Sequence, residues 1–377
     1  MGDGFMQKTI LGIIIVIIIL AIAFVGLQNN SMFLTSENNE IIIGALQPLT
    51  GPAVNVGENV RTAIELAVKE VNEEGGINGK SLRVIFEDGE CDATASITAT
   101  SKLVNVDGVS AIIGGACSAE TMAAAPVAEE GKTILFSNCS SNPAITTMGM
   151  YVFRNYPSDT FQGKIAAEKI YNKLDKKRVA ILSCLSDACV GLKQVFTEEF
   201  VKLGGEVLTV QEFENGASDI KTQLLKIKEA SPDLIYFTGY PAEVIIGVNQ
   251  ARELGITQTF FGFDGWDDPS IWEALGESGE GSMFLTPYNP DAKEFREKMK
   301  ELAGETTVCS PQAYDNVKII ANVLRICGED RECIKNEMYK VNYSGVSGEV
   351  SFDGFGDLKT AEYDLKIVKD GEATVLE

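Results

Sequence analysis

Two successive series of alternating strand and helix patterns constrain the fold of this chain more than any other feature. In the first series, apolar runs of strand length at 41–46, 82–86, 111–116 and 133–136 alternate with helical patterns at 60–71, 93–106 and 119–130. The second series has helices at 161–174, 191–203, 218–230 and 242–254, and strands at 178–183, 206–211, 233–238 and 259–262. Because such alternation builds parallel sheets with helices on both faces, the sequence predicts two doubly wound α/β units.

The length of the chain agrees with two units. Its 377 residues exceed the size at which one hydrophobic core usually stops growing. Two doubly wound units that face each other leave a cleft, and the carboxyl ends of parallel strands usually bind ligands there. We therefore expect a ligand site between the units.

The absence of histidine and the formal net charge of −22 narrow the function. Without histidine, the usual general base near neutral pH and the commonest metal ligand are missing. No nucleotide loop, nucleophile elbow or Cys-x-x-Cys pair replaces them, so we predict a protein that is not an enzyme and has neither metal nor cofactor. The negative charge also argues against nucleic acid as a partner.

The N-terminus carries one long apolar segment. Residues 10–27 contain no charged side chain, and as a helix they would be roughly 27 Å long, close to the thickness of a bilayer core. We predict that residues 1–28 are an anchor helix in the membrane and that 29–40 are a polar tether. A cleaved signal peptide is the alternative, although its apolar run is usually shorter.

The eight cysteines behind this leader indicate an oxidising compartment. The soluble part is therefore expected on the extracytoplasmic face of the cell membrane, or in the periplasm or medium if the leader is cleaved. The short spacings of Cys184 with Cys189 and of Cys327 with Cys333 predict two local disulfides.

Several short motifs occur together in one order and spacing. They are Gly51-Pro52, NEEGGINGK at 72–80, EDGECD at 87–92, GGACS at 114–118, SNCSSNP at 137–143 and GEVSFDGFGD at 348–357. With them the chain resembles the type I periplasmic-binding-protein fold, in particular the branched-chain amino acid (Leu/Ile/Val)-binding proteins of ABC transporters. The resemblance implies lobe I at 41–157 and 286–344 and lobe II at 158–285 and 345–377, with three crossovers as a hinge.

The resemblance also implies which residues of lobe I bind an amino acid. Ser118, expected to cap the helix at 119–130, would donate to the ligand carboxylate. The backbone carbonyl of Cys139 would accept from the ammonium, and Ser141 would donate to the carboxylate, with Ser140 as a further candidate. Without the resemblance, Ser118 is an ordinary helix cap and the three residues from Cys139 form an ordinary polar loop.

In lobe II, the resemblance places Tyr240 near the ammonium and the ligand side chain. It places Asp264 as the acid that pairs with the ammonium, where the family often has the longer glutamate, so the ligand sits closer or a water intervenes. Val56 and Ala188 stand where the family often has aromatic residues. We therefore predict a side-chain pocket different from that of a leucine binder.

The pairing of the other four cysteines is inferred only in part from the resemblance. It implies a disulfide between Cys91 and Cys117, next to Ser118. Cys139 and Cys309 are then left over, and whether they pair stays open at this point because the sequence does not show their distance.

The predicted function is that of an extracytoplasmic solute-binding protein of an ABC importer, which captures a branched-chain or related amino acid and delivers it to permease subunits. The N-terminal helix would be its contact with the membrane. The alternative is the ligand-binding ectodomain of a sensor or receptor for an amino acid, an amide or a similar small polar solute.

Overall fold

The computed structural model of the chain describes residues 39–376, apart from positions 52, 289, 291, 305 and 307. The predicted anchor at 1–28, most of the tether and Pro52 lie outside the described residues. Of the helices in the described part of the chain, none has both the length and the apolar character that a bilayer crossing requires.

The first sheet has five parallel strands in the order β2-β1-β3-β4-β5. The strands are β1 (Glu40–Gln47), β2 (Ser81–Asp88), β3 (Ala111–Gly114), β4 (Ile134–Ser137) and β5 (Val152–Arg154). Helices α1 (Val54–Glu73), α2 (Ala93–Asn105) and α3 (Ser118–Glu130) and a 3₁₀ helix (Pro143–Thr147) connect them. Every residue of β3 and β4 is buried, as expected for a parallel sheet covered on both faces.

The second sheet begins with β6 (Arg178–Cys184), β7 (Glu206–Phe213), β8 (Leu234–Thr238), β9 (Thr259–Gly262) and β10 (Met283–Pro287), all parallel. Its helices are α4 (Asp159–Glu168), which continues into a π turn (Lys169–Lys173), α5 (Asp187–Lys202), α6 (Lys221–Ala230), α7 (Pro241–Glu253) and α8 (Pro269–Leu275). Two short 3₁₀ helices, Asp264–Trp266 and Gly276–Gly279, lie beside α8.

The chain then returns to the first sheet with α9 (Lys293–Ala303), α10 (Ser310–Cys327) and α11 (Arg331–Met338). An antiparallel hairpin follows, formed by β11 (Asn342–Gly345) and β12 (Gly348–Ser351). Finally β13 (Tyr363–Lys369) and β14 (Glu372–Val375) add antiparallel to the second sheet, in the order β14-β13-β10-β9-β8-β6-β7. The predicted α/β architecture with parallel sheets is thus confirmed.

Each sheet has its own hydrophobic core. The first core joins the first sheet to α1 and α10, with Ile64 and Val317 fully buried in it. The second core is rich in aromatic residues, among them Phe196 and Tyr236, whose rings stack at 3.8 Å between centroids.

Local interactions move some helix boundaries away from the apolar patterns. Helix α5 starts at Asp187, before the predicted residue 191, because Ser186 caps it by accepting a hydrogen bond from the Cys189 N–H at 3.2 Å. The helix predicted at 161–174 starts at Asp159 for the same reason, since Ser158 accepts from the Thr160 N–H at 3.3 Å. A polar capping residue does not contribute to the apolar periodicity of a helix. The apolar pattern therefore places the start of these helices too late.

The last crossing between the sheets comes later in the chain than position 345, where the prediction put it. Val350, Phe352 and Leu358 belong to the first core. The Phe352 ring packs edge-on against Phe136, with centroids 5.5 Å apart. Strand β10 keeps the chain in the second sheet up to Pro287, two residues beyond the predicted end of lobe II at 285. That the crossings act as a hinge stays a prediction.

Candidate ligand-binding cleft

The predicted site residues lie where strands of the two sheets end. Ser118 follows β3 and the segment from Cys139 to Ser141 follows β4, whereas Tyr240 follows β8 and Asp264 follows β9. In doubly wound sheets this edge is where ligands bind.

Two hydrogen bonds show that these edges face each other. The side-chain amide of Asn142, from the first unit, donates to the backbone carbonyl of Asp187 at 2.6 Å, at the start of α5. The hydroxyl of Tyr156, which follows β5, donates to the carboxylate of Asp264. The strand ends of the two sheets therefore meet at these two contacts, and that the predicted residues form one ligand site there stays a prediction.

The prediction that Ser118 caps its helix is wrong. Ser118 is the first residue of α3, and Cys117 precedes it at the cap position. The buried carboxylate of Glu120 accepts from the N–H groups of Ala116 and Cys117, at 3.0 and 3.1 Å. Ser118 is 5% exposed, and its hydroxyl accepts from the Asn142 N–H at 3.3 Å. A hydroxyl that accepts this bond keeps its own hydrogen for a ligand.

Burial also affects Glu120 itself. The loss of water around this carboxyl raises its pKa to about 7, although N–H groups that donate to it act in the opposite direction. The start of α3 is thus held by the Glu120 carboxyl, which is itself fully buried.

Ser140 and Ser141 have different roles. The Ser140 side chain is buried; its hydroxyl lies 2.7 Å from that of Thr121 and 3.0 Å from the Gly115 carbonyl. Ser140 thus joins the loops after β3 and β4 to each other. Ser141 is half-buried, and its carbonyl accepts from the Asp159 N–H at 2.8 Å. Ser141 is the better placed of the two to meet a ligand.

All eight cysteines pair, with Cα–Cα distances of 5.4 Å for Cys91–Cys117, 5.3 Å for Cys139–Cys309, 5.6 Å for Cys184–Cys189 and 5.5 Å for Cys327–Cys333. The three predicted pairs are confirmed, and the open question about the fourth is answered. Cys117 adjoins Ser118 and Cys139 lies in the loop after β4. The loop after β3 and the loop after β4 are therefore each held by a disulfide.

Tyr240 is a partly exposed residue at the start of α7. It occupies the cap position of α7, where its N–H donates to the Glu243 carboxylate at 2.8 Å. The side chain is 40% exposed, and its hydroxyl lies 3.4 Å from that of Ser186. Its ring packs edge-on against Phe263, at 6.4 Å between centroids. The ring is therefore held from one side while part of it stays accessible.

Asp264 is a buried acid, 7% exposed. Besides the bond from Tyr156, it accepts from the Gly265 N–H at 3.0 Å. Burial raises the pKa of its carboxyl. Its neighbour Asp267 instead forms an ion pair with Lys366 at 2.7 Å. Because it is buried, Asp264 is not a solvated turn residue.

Sequence reasoning missed a second buried acid in the same place. Asp159, the first residue of α4, is 1% exposed. Burial and the charge of Asp264 raise the pKa of its carboxyl to about 8, against the effects of a hydrogen bond from Ser141 and the charge of Arg154. An aspartate beside Ser158 at a helix start looks like ordinary capping, so the sequence carried no signal for it.

A cavity of about 440 Å³ lies elsewhere, on the outer face of the first unit between α1, α9 and α10. Its charged groups pair with one another: Lys298 with Glu70 at 2.9 Å and Lys318 with Glu74 at 3.2 Å. Because these charges already pair with one another, we assign no ligand to this cavity.

Comparisons with known proteins agree with this architecture. Residues 40–369 match the family model described as periplasmic binding protein. The chain is 27% identical over 353 residues to the leucine-, isoleucine-, valine-, threonine- and alanine-binding protein of Pseudomonas aeruginosa, covering 91% of this chain and 92% of that protein. It is 26% identical over 348 residues to the Leu/Ile/Val-binding protein of Escherichia coli, covering 90% and 93%.

Solved structures give the same result. The leucine-binding protein LivK of Thermotoga maritima is similar with a TM-score of 0.81 and 32% identity, over 89% of this chain and 98% of that one. LivJ of Streptococcus pneumoniae, in complex with isoleucine, has a TM-score of 0.81 and 28% identity, over 89% and 97%. The chain therefore belongs to the periplasmic binding protein family and has its type I α/β fold with parallel sheets.

Proposed function

We propose that the protein is an extracytoplasmic solute-binding protein of an ABC importer, which captures a branched-chain or related amino acid between its two units. The observation that carries this proposal is the position of Asp264. It is a buried acid after β9 that accepts from Tyr156, which follows β5, and Ser118 and Ser141 follow the neighbouring strands β3 and β4. The names of the similar proteins, which bind leucine, isoleucine and valine, support the same ligand class.

The two walls complement the two charges of an amino acid. The first turn of α3 has N–H groups and the positive end of a helix dipole, which suit a carboxylate, and the hydroxyl of Ser118 adds a donor, with Ser141 as a second donor residue. The carboxylate of Asp264 and the carbonyl of Cys139 are acceptors for the ammonium. Because opposite charges come from opposite units, a zwitterion would draw the two units together.

The ligand side chain is proposed to face the accessible part of the Tyr240 ring. Leu185, which is 41% exposed, lies next to Ser186, whose hydroxyl contacts that of Tyr240. Ala188 and Val56 stand where the family often has aromatic residues, and their smaller side chains are proposed to give the ligand side chain more room. Such a pocket suits an aliphatic side chain.

The proposed location is outside the cytoplasm, facing permease subunits of the importer and held to the membrane through the N-terminal segment. The pairing of all eight cysteines supports an oxidising compartment.

The test is a thermal-shift screen of the full chain, purified in detergent, against the twenty common L-amino acids, with amides and short peptides as comparison. Binding to the folded state alone stabilises it by about 2.7 kcal/mol at a hundredfold excess over Kd. We expect at least one amino acid to raise Tm, and Asp264→Ala to abolish that shift while the variant still folds. No shift with any amino acid in the wild type, or an unchanged shift in Asp264→Ala, would contradict the proposal.

A further inference from the structure

We propose that the loop from Cys184 to Cys189, which is closed by its own disulfide, is a positioning element that helps to hold the two units together around a bound ligand. The inference rests on the proposed function and adds to it a contact between the units that lies outside the predicted site residues. The loop would act through Asn142 of the first unit.

The disulfide connects the end of a strand to the start of a helix. Cys184 is the last residue of β6 and Cys189 is the third residue of α5, and both side chains are fully buried. The hydroxyl of Ser186 lies 3.2 Å from the Cys184 sulfur and accepts from the Cys189 N–H, also at 3.2 Å. The loop is therefore held both covalently and by the cap of α5.

The start of α5 contacts the first unit at Asn142. The side-chain amide of Asn142 donates to the Asp187 carbonyl at 2.6 Å. One turn further along α5, a β-carbon at Gly191 would lie 3.1 Å from Asn142 Nδ2 and 2.9 Å from Pro143 Cδ. Such a close approach favours glycine at this position. Asn142 is 8% exposed, so water has little access to the contact.

Hydrogen bonds extend from this contact to proposed ligand residues of both units. In the first unit, the Asn142 N–H donates to the Ser118 hydroxyl at 3.3 Å. In the second unit, the Ser186 hydroxyl lies 3.4 Å from that of Tyr240. Because Ser186 directly precedes Asp187, one short loop contacts both Asn142 and Tyr240. A shift of this loop would therefore change the position of Tyr240 relative to Ser118.

The disulfide should lower the cost of binding a ligand between the units. Without it, residues 185–188 have more conformational freedom, and ordering them when the ligand binds costs free energy. The bond from Asn142 to Asp187 joins the units directly, so an ordered loop should slow ligand release more than it speeds capture. We therefore expect the disulfide to lower the dissociation rate of the ligand.

The chain contains a matched control for this disulfide. Cys184 and Cys189 are 5 positions apart in sequence and Cys327 and Cys333 are 6 apart, so loop closure should contribute nearly equally to stability. The second pair joins α10 to α11. Each pair is replaced by alanines in the full-length protein. Binding of the tightest-binding of the twenty L-amino acids is then measured by calorimetry and by stopped-flow kinetics.

We expect removal of the Cys184–Cys189 disulfide to weaken binding at least about fivefold, mainly through faster dissociation. Removal of the Cys327–Cys333 disulfide should lower Tm by a similar amount and leave Kd unchanged. Equal changes of Kd in the two variants would overturn the inference, because a merely structural role does not distinguish them. If the wild type binds no L-amino acid, the proposed function fails first and the inference fails with it.

Two further variants test the contact itself and keep all cysteines. Asn142→Ser retains a capping side chain for the 3₁₀ helix but removes the donor to Asp187, so it should also speed dissociation. Gly191→Ala favours the helix, so the ligand-free variant should unfold no more easily than the wild type, yet its β-carbon should push the units apart and weaken binding severalfold. Unchanged binding in both variants would contradict the inference, including in the case that the alanine variants of the cysteines do not fold.

Discussion

The Tyr156 hydroxyl donates a hydrogen bond to the Asp264 carboxylate, and this bond connects the segment that leaves the first sheet to the loop that follows β9 in the second. Tyr156 is 2% exposed and Asp264 is 7% exposed, so neither group has water as a ready substitute. The proposed ammonium acceptor is thus oriented by a residue at the crossing between the units.

Tyr156→Phe should therefore destabilise the ligand-free protein. The substitution leaves one Asp264 oxygen without this donor, which lowers the free energy of unfolding by about 1–3 kcal/mol. Urea unfolding of both proteins measures the difference. Tyr288→Phe is the control, since Tyr288 is 47% exposed, and it should change stability little. Equal effects of the two substitutions would show that the bond to Asp264 is unimportant.

The buried acid Asp159 should make stability depend on pH. Its pKa is raised from an ordinary value of 3.8 to about 8 in the folded protein. Between these values the folded state keeps a proton that the unfolded state releases, so the free energy of unfolding falls as pH rises. The fall attributable to this group is at most about 1.4 kcal/mol per pH unit.

The measurement is urea unfolding of ligand-free wild type and Asp159→Asn over that pH range. Asp159→Asn should become increasingly more stable than the wild type as pH rises. The amide that replaces the carboxyl does not titrate, and both proteins contain all the other acidic residues. Parallel curves would mean that the folded state holds the carboxyl with an ordinary pKa.

The Cys139–Cys309 disulfide should stabilise the protein more than the Cys327–Cys333 disulfide. Cys139 and Cys309 are 170 residues apart in sequence, whereas Cys327 and Cys333 are separated by 6. From the loop-closure entropy, their removal should cost about 5 and about 2 kcal/mol. Replacing each pair by alanines and measuring chemical unfolding tests this order. The reverse order would indicate that chain entropy is not the main contribution.

A buried ion pair should hold the first and last crossings together. Arg154 is fully buried and binds Asp357, which belongs to the GEVSFDGFGD motif, at 2.6 and 2.7 Å. Arg154→Met leaves Asp357 unpaired and should lower the free energy of unfolding by about 3–5 kcal/mol.

The control for this pair is Lys202→Met, which breaks the surface pair with Glu199 and should cost less than about 1 kcal/mol. Adding Asp357→Leu to Arg154→Met should recover part of the lost stability, because no uncompensated charge then remains. If the double variant is no more stable than Arg154→Met alone, the penalty does not come from an unpaired carboxylate.

The strands and helices of both parallel sheets could be predicted from sequence because apolar runs and helical spacing are local signals. Strand β9 has the predicted bounds, Thr259–Gly262. The packing of Phe352 on Phe136 could not be predicted in this way, since residues so distant in sequence share no pattern.

The candidate site was predictable only where a motif marked it. Ser118 and Asp264 lie in recognisable segments, and both lie where strands of the two sheets end. The role of Ser118 was misjudged, because Cys117 occupies the cap position and the Glu120 carboxylate accepts from the Cys117 N–H, which places Ser118 inside the first turn of α3. Asp159 had no signal of its own, since its importance comes from burial and from a neighbour, Asp264, far along the chain.

The most direct test of the account is a crystal structure of the protein grown with the amino acid that binds most tightly in the screen. The account predicts one molecule between the two sheets, with its carboxylate within hydrogen-bonding distance of Ser118 or Ser141 and its ammonium within that distance of Asp264. A ligand that contacts residues of one unit alone, or that leaves Asp264 bound only by Tyr156 and Gly265, would contradict it.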